Sequence, residues 1–122
     1  MEPIQGLDAI TVHIHDVAKA KDFYTRVLGL QELKFDGDPE RGGKWEIPGG
    51  GTLIAHVQRP DEPGRPAGTI TGVMFHVRDA QASRDEIAQR GGKVDEAWRA
   101  PWGPTYVTVW DPDGNEWLLI QR

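Results

Sequence analysis

The sequence predicts an α+β protein built from two tandem βαβββ modules that form a curved mixed sheet around a cavity. Three observations lead there. The 122 residues resemble themselves at an offset of 63, each half opens on an alternating apolar strand closed by an aspartate, and a Pro- and Gly-rich stretch lies between the halves. A chain of this length makes one domain-sized body, so two modules must share a core.

The offset runs without a gap. Ile14-His15-Asp16 lies over Val77-Arg78-Asp79, His13 over His76, Asp22 over Asp85, Gly29 over Gly92, Gly51 over Gly114, and Gln58-Arg59 over Gln121-Arg122. Scattered identities at one shift arise by chance, so the weight comes from matching roles along the two halves.

In the first half Ile10, Val12 and Ile14 alternate with Ala9, Thr11 and His13, the period of a strand with two unlike faces. Asp16 stands where a helix wants its N-cap. Phe23, Val27 and Leu28 then recur at helical spacing before Gly29, which predicts a helix from Val17 to Leu28. Short extended segments follow at 31–35, 44–47 and 52–58. The second half repeats the plan, with Val73, Phe75 and Val77 on one strand face, Asp79 as cap, Ile87 on the helix and Gly91-Gly92 as the stop. Its remaining strands fall at 94–98, 105–110 and 116–121. The first module thus covers residues 7–59 and the second 70–122. The segment 60–69 between them has the Pro and Gly content of an extended linker.

Hydrophobic residues at 38% and charged residues at 27% argue against disorder and membrane insertion. The longest apolar runs, such as Trp117-Leu118-Leu119-Ile120, are too short to span a bilayer. No secretory signal follows Met1, so a cytoplasmic location is expected. Without cysteine there is no disulfide, thiolate zinc site or cysteine nucleophile. A net charge of −5 makes nucleic acid an unsuitable partner and favours a neutral or cationic small molecule. Gly49-Gly50-Gly51 lacks the lysine and helix of a phosphate-binding loop and reads as a hairpin turn.

Four segments carry a family resemblance: Val12-His13-Ile14-His15-Asp16, Phe23-Tyr24-Thr25-Arg26-Val27-Leu28-Gly29-Leu30, Pro101-Trp102-Gly103-Pro104 and Asp111-Pro112-Asp113-Gly114-Asn115. In this order and spacing, from Leu7 to Gln121, the chain resembles the vicinal-oxygen-chelate superfamily of glyoxalases, bleomycin-resistance proteins and extradiol dioxygenases. The resemblance implies the two-module fold with its cavity, and a two-fold homodimer whose grooves lie between modules of the two chains.

Catalytic members of that superfamily hold a divalent metal with a His near the start of a module's first strand and a Glu or His on its last strand. Carried over residue by residue, the early positions fall on Ala9 and Gly72 and the late ones on Leu118 and Ala55. None can ligate through its side chain, so neither a metal nor another cofactor is expected, and the chain looks most like the metal-free bleomycin-resistance members. Only His13, His15, His56 and His76 are available besides, and no carboxylate–histidine cluster is evident along the sequence.

Strand parity nominates the cavity lining instead. If Ile10, Val12 and Ile14 pack on a helix, Thr11 and His13 face the cavity, and the repeat sends Met74 and His76 the same way. Between Thr105 and Trp110, Val107 and Val109 share one face, leaving Tyr106 and Trp110 to point inward with Trp45 from the related strand. Trp102 sits in the loop entering that strand. The histidines could donate hydrogen bonds or act as an acid–base pair, and the rings could stack on a planar ligand. The plainer account makes them satisfied core groups, with Trp98 and Trp117 as core or interface residues.

Three functions follow. The first is a metal-free protein sequestering an aromatic or cationic small molecule in a dimer groove. The second is a glyoxalase-like lyase, isomerase or dioxygenase using a non-standard site around His13 and His76. The third is a scaffold whose cavity is filled by its own side chains.

Overall fold

A computed structural model describes residues 2–122. The first module runs β1 (Ala9–Ile14), α1 (Val17–Asp22), a π-helical turn (Phe23–Val27), β2 (Gln31–Leu33), β3 (Gly42–Glu46) and β4 (Thr52–Val57). The second runs β5 (Ile70–His76), α2 (Ala80–Gln89), β6 (Lys93–Val94), β7 (Trp98–Arg99), β8 (Thr105–Trp110) and β9 (Glu116–Gln121). This is the α+β class expected. The strand expected over 94–98 is divided into two short pieces that both pair with β8.

Each module makes its own mixed sheet, ordered β1-β4-β3-β2 and β5-β9-β8-β6, with the first and last strands parallel and the rest antiparallel. Both helices begin as the sequence requires. The Asp16 carboxylate accepts from the Lys19 amide at 3.0 Å, and the Asp79 carboxylate from the Ala82 amide at 3.0 Å. The first helix widens to π geometry where the Leu28 amide bonds to the Phe23 carbonyl at 2.8 Å, then stops at Gly29, whose φ of +73° suits glycine. Among the described residues no helix is long and apolar enough to cross a membrane.

The core lies between each sheet and its helix and continues across the two modules. Tyr24 from the π turn is wholly buried against Trp45 of its own sheet and Trp117 of the other, with ring centroids 5.0 and 6.2 Å apart. The motif Asp111–Asn115 supplies the polar joint. Asp111 accepts from the Tyr24 hydroxyl at 2.7 Å and from the Asn115 side-chain amide at 2.8 Å. That same amide donates to the His13 carbonyl at 2.9 Å, while the Asn115 side-chain oxygen accepts from the Gly68 and Thr69 amides. Burial first, then the Asp111 charge, pushes the Tyr24 phenol well above its ordinary range and keeps it a donor.

The register refines the internal repeat. Thr11 pairs with Ile54 and Met74 with Leu118, so the first strands superpose at 63 while the last superpose at 64. The third strands follow the larger offset, since Glu46 pairs with Thr52 as Trp110 does with Glu116. The counterpart of Leu118 is therefore Ile54, not Ala55.

Candidate functional site

In each sheet one face is covered by a helix and the other is open. On the first sheet, paired residues place Thr11, His13, Ile54, His56 and Lys44 on the open face, whereas Val12, Leu53, Ala55 and Trp45 pack toward α1. On the second, Met74, His76, Leu118, Tyr106, Thr108 and Trp110 share the open face, and Val107, Val109, Trp117 and Leu119 the helix side.

Seven of the eight nominated residues therefore lie where parity put them or in the adjoining loop. Trp45 does not. It is fully buried under α1, its indole N–H donating to the Thr25 hydroxyl at 2.9 Å. The slip in the repeat explains this: at 63 Trp45 overlies Thr108 on the open face, but at the true offset it overlies Val109 on the helix side. One residue of register turns a side chain through the sheet.

The second sheet presents an aromatic platform. Trp98, Trp102 and Tyr106 lie with centroids 5.5 to 6.3 Å apart, the Trp98 and Tyr106 rings nearly parallel at 28°. Trp102 donates to the Tyr106 hydroxyl at 3.3 Å. Trp98 and Trp102 expose 52% and 68% of their surface, and Met74 51%. Large apolar side chains grouped in water mark a binding surface. Trp98, read from sequence as core or interface, joins this platform through the short β7 strand beside β8. Trp110 holds the ammonium of Lys93 5.0 Å from its ring centre, so that face of the indole is covered. Met74 and His76 also border a groove of about 580 Å³ reached between the end of the first helix, the β3–β4 turn and α2.

The first sheet carries a different arrangement. His13 and His56 are register partners on β1 and β4, with ring centroids 4.9 Å apart. The linker does not run as a spacer but folds back over them. Glu62 brings one carboxylate oxygen 2.7 Å from His56 Nε2 and 3.3 Å from His13 Nε2. The Arg65 carbonyl lies 2.6 Å from His13 Nδ1, and the Arg59 amide donates to the other Glu62 oxygen at 3.2 Å. The His56 bond first, then the Arg59 amide, holds the Glu62 carboxyl down at about 2 against 4.5 ordinarily. A carboxylate–histidine cluster thus exists that the chain order hides. Its signal lies in the strand register, since at 64 His56 overlies Ile120 on the open face. His76 is no member of it and stands exposed on β5.

Comparison with known proteins places this architecture. The family model described as Glyoxalase/Bleomycin resistance protein/Dioxygenase superfamily matches residues 6–119. The chain belongs to that superfamily. Among solved structures, TnmS3, an antibiotic binding protein from Streptomyces sp. CB03234, is 28% identical with a TM-score of 0.83, over 99% of this chain and 98% of that one. A superfamily member from Sphaerobacter thermophilus DSM 20745 is 29% identical with a TM-score of 0.83, over 98% of each chain. Lactoylglutathione lyase from Agrobacterium tumefaciens, at 23% identity and a TM-score of 0.73 over 98% of this chain and 95% of that one, shares the fold. No curated protein matches the sequence.

The metal associated with catalytic members of the superfamily has no fit at the customary strand positions. Ala9, Gly72, Leu118 and the register-corrected Ile54 offer only aliphatic groups or hydrogen there.

Proposed function

We propose that this superfamily member binds a planar aromatic small molecule, neutral or cationic, on the open face of its second sheet, without a metal at the customary positions. The exposed Trp98–Trp102–Tyr106 platform carries the reading. Stacking on rigid indoles gains contact area at little conformational cost, and an edge-on Tyr hydroxyl can orient a polar substituent. The net charge of −5 suits a cationic ring system. TnmS3, described as an antibiotic binding protein, supports the binding of a small molecule.

A second copy of the chain completes the groove in this reading. Ile70 and Met74 on the edge strand β5 are 63% and 51% exposed, an apolar edge that a partner chain would cover. A two-fold dimer would lay the open first sheet of one chain over the open second sheet of the other, with the ligand between them. Calorimetric titration with a cationic acridine dye and a neutral anthracene derivative tests the assignment. Saturable binding weakened about tenfold by Trp102→Ala, the loss of roughly 1.4 kcal/mol, is expected. Failure of both probes to saturate removes the support for it.

A further inference from the structure

We propose that His13, His56 and Glu62 form a divalent-cation site of the zinc class, placed on the first sheet away from the superfamily's customary metal position. Their ligating atoms all lie within 4.8 Å of one another. Two of the donors stand on adjacent strands in register, so the sheet fixes their spacing, and the third is brought in by the folded linker.

The hydrogen-bond pattern around His13 calls for a positive charge between its ring and Glu62, supplied by a second ring proton or by a metal ion. A carbonyl oxygen only accepts, so the 2.6 Å contact to Arg65 means that His13 Nδ1 carries its proton. A neutral ring then aims the lone pair of Nε2 at a carboxylate oxygen 3.3 Å away. Two lone pairs held face to face repel unless a positive charge lies between them. An imidazole whose far nitrogen donates to a backbone carbonyl is also the usual orientation of a metal-bound histidine.

Two of the three ligand separations can be set against zinc geometry. With zinc–nitrogen and zinc–oxygen bonds of about 2.0–2.2 Å, tetrahedral ligand atoms stand roughly 3.3–3.5 Å apart. The His13–Glu62 separation of 3.3 Å already meets this, and the His56–Glu62 separation of 2.7 Å needs to open by about 0.6–0.8 Å. Side-chain exposures of 10%, 21% and 16% for His13, His56 and Glu62 mean the three are shielded but not sealed.

They line a groove of about 460 Å³ that also touches Thr11, Thr71 and Trp117. Three protein ligands and an open fourth direction are the arrangement that lets a zinc ion take water or a ligand donor atom. This site does not depend on the stacking platform, which lies on the other sheet, so either assignment can fail alone.

The test uses the full chain stripped with chelator. Zinc titration by calorimetry is paired with the visible spectrum of the Co²⁺-substituted protein, which reports coordination directly. One equivalent per chain and an intense low-symmetry Co²⁺ spectrum are expected. His56→Ala and Glu62→Gln should each weaken uptake by more than the roughly 10–100-fold lost with an outer partner, while His15→Ala changes nothing. His13→Gln serves as a further variant, and far-UV circular dichroism confirms that each is folded. Absence of stoichiometric uptake, or uptake indifferent to His56→Ala and Glu62→Gln, would overturn the site and leave Glu62 as a proton-bridged clasp.

Discussion

Tyr24 donates a 2.7 Å hydrogen bond to Asp111, and through it the helix of the first module is tied to the β8–β9 turn of the second. The Trp117 indole N–H donates to the same hydroxyl at 3.0 Å, so one buried oxygen joins three elements. Tyr24→Phe leaves the Trp117 donor and part of Asp111 unsatisfied. A loss of about 1–3 kcal/mol in unfolding free energy, read from urea denaturation, is expected.

The tryptophans divide into two classes. Trp45→Ala opens a cavity in the shared core and should cost about 3–5 kcal/mol, whereas Trp102→Ala should stay within about 0.5 kcal/mol of the parent. Denaturant midpoints of the two variants decide the matter, and a large destabilisation by Trp102→Ala would mean that the platform is a structural element.

Most of the architecture was legible because each module repeats the same local punctuation. Asp16 and Asp79 cap, Gly29 and Gly91 stop, and alternation in β1, β5 and β8 sorts their faces. What sequence hid was register. The modules superpose at 63 through β1 and α1 but at 64 along β3 and β4, and no residue type announces the change. That single step carried Trp45 to the wrong face and kept His56 out of sight. Glu62 was hidden for another reason: three prolines in the linker suggested a spacer, while its turn at Arg59–Glu62, with the Glu62 amide bonded to the Arg59 carbonyl at 3.0 Å, folds it back onto the sheet.

Glu62 also sets a pH dependence. Its folded carboxyl is depressed to about 2 from 4.5, so the native state favours the ionised form. The stability this contributes is fully present above 4.5 and is lost as the pH falls toward 2. Glu62→Gln should flatten that part of the acid denaturation profile. An unchanged profile would remove the clasp from the account of acid sensitivity.

The exposed edge at β5 predicts self-association. Sedimentation equilibrium should return a dimer for the parent chain, and Met74→Lys, which sets a charge on the open face, should shift it toward monomer. A monomeric parent at micromolar concentration would leave the groove to a single chain.

In the proposed function, ligand recognition resides on the open aromatic face of the second sheet. The five indole N–H groups allow it to be read residue by residue in a ¹H–¹⁵N spectrum during titration with the acridine probe. Trp98 and Trp102 are expected to shift in a saturable manner while Trp45 and Trp117 stay in place. Shifts confined to the buried pair, or no shift at any of the five, would contradict that function.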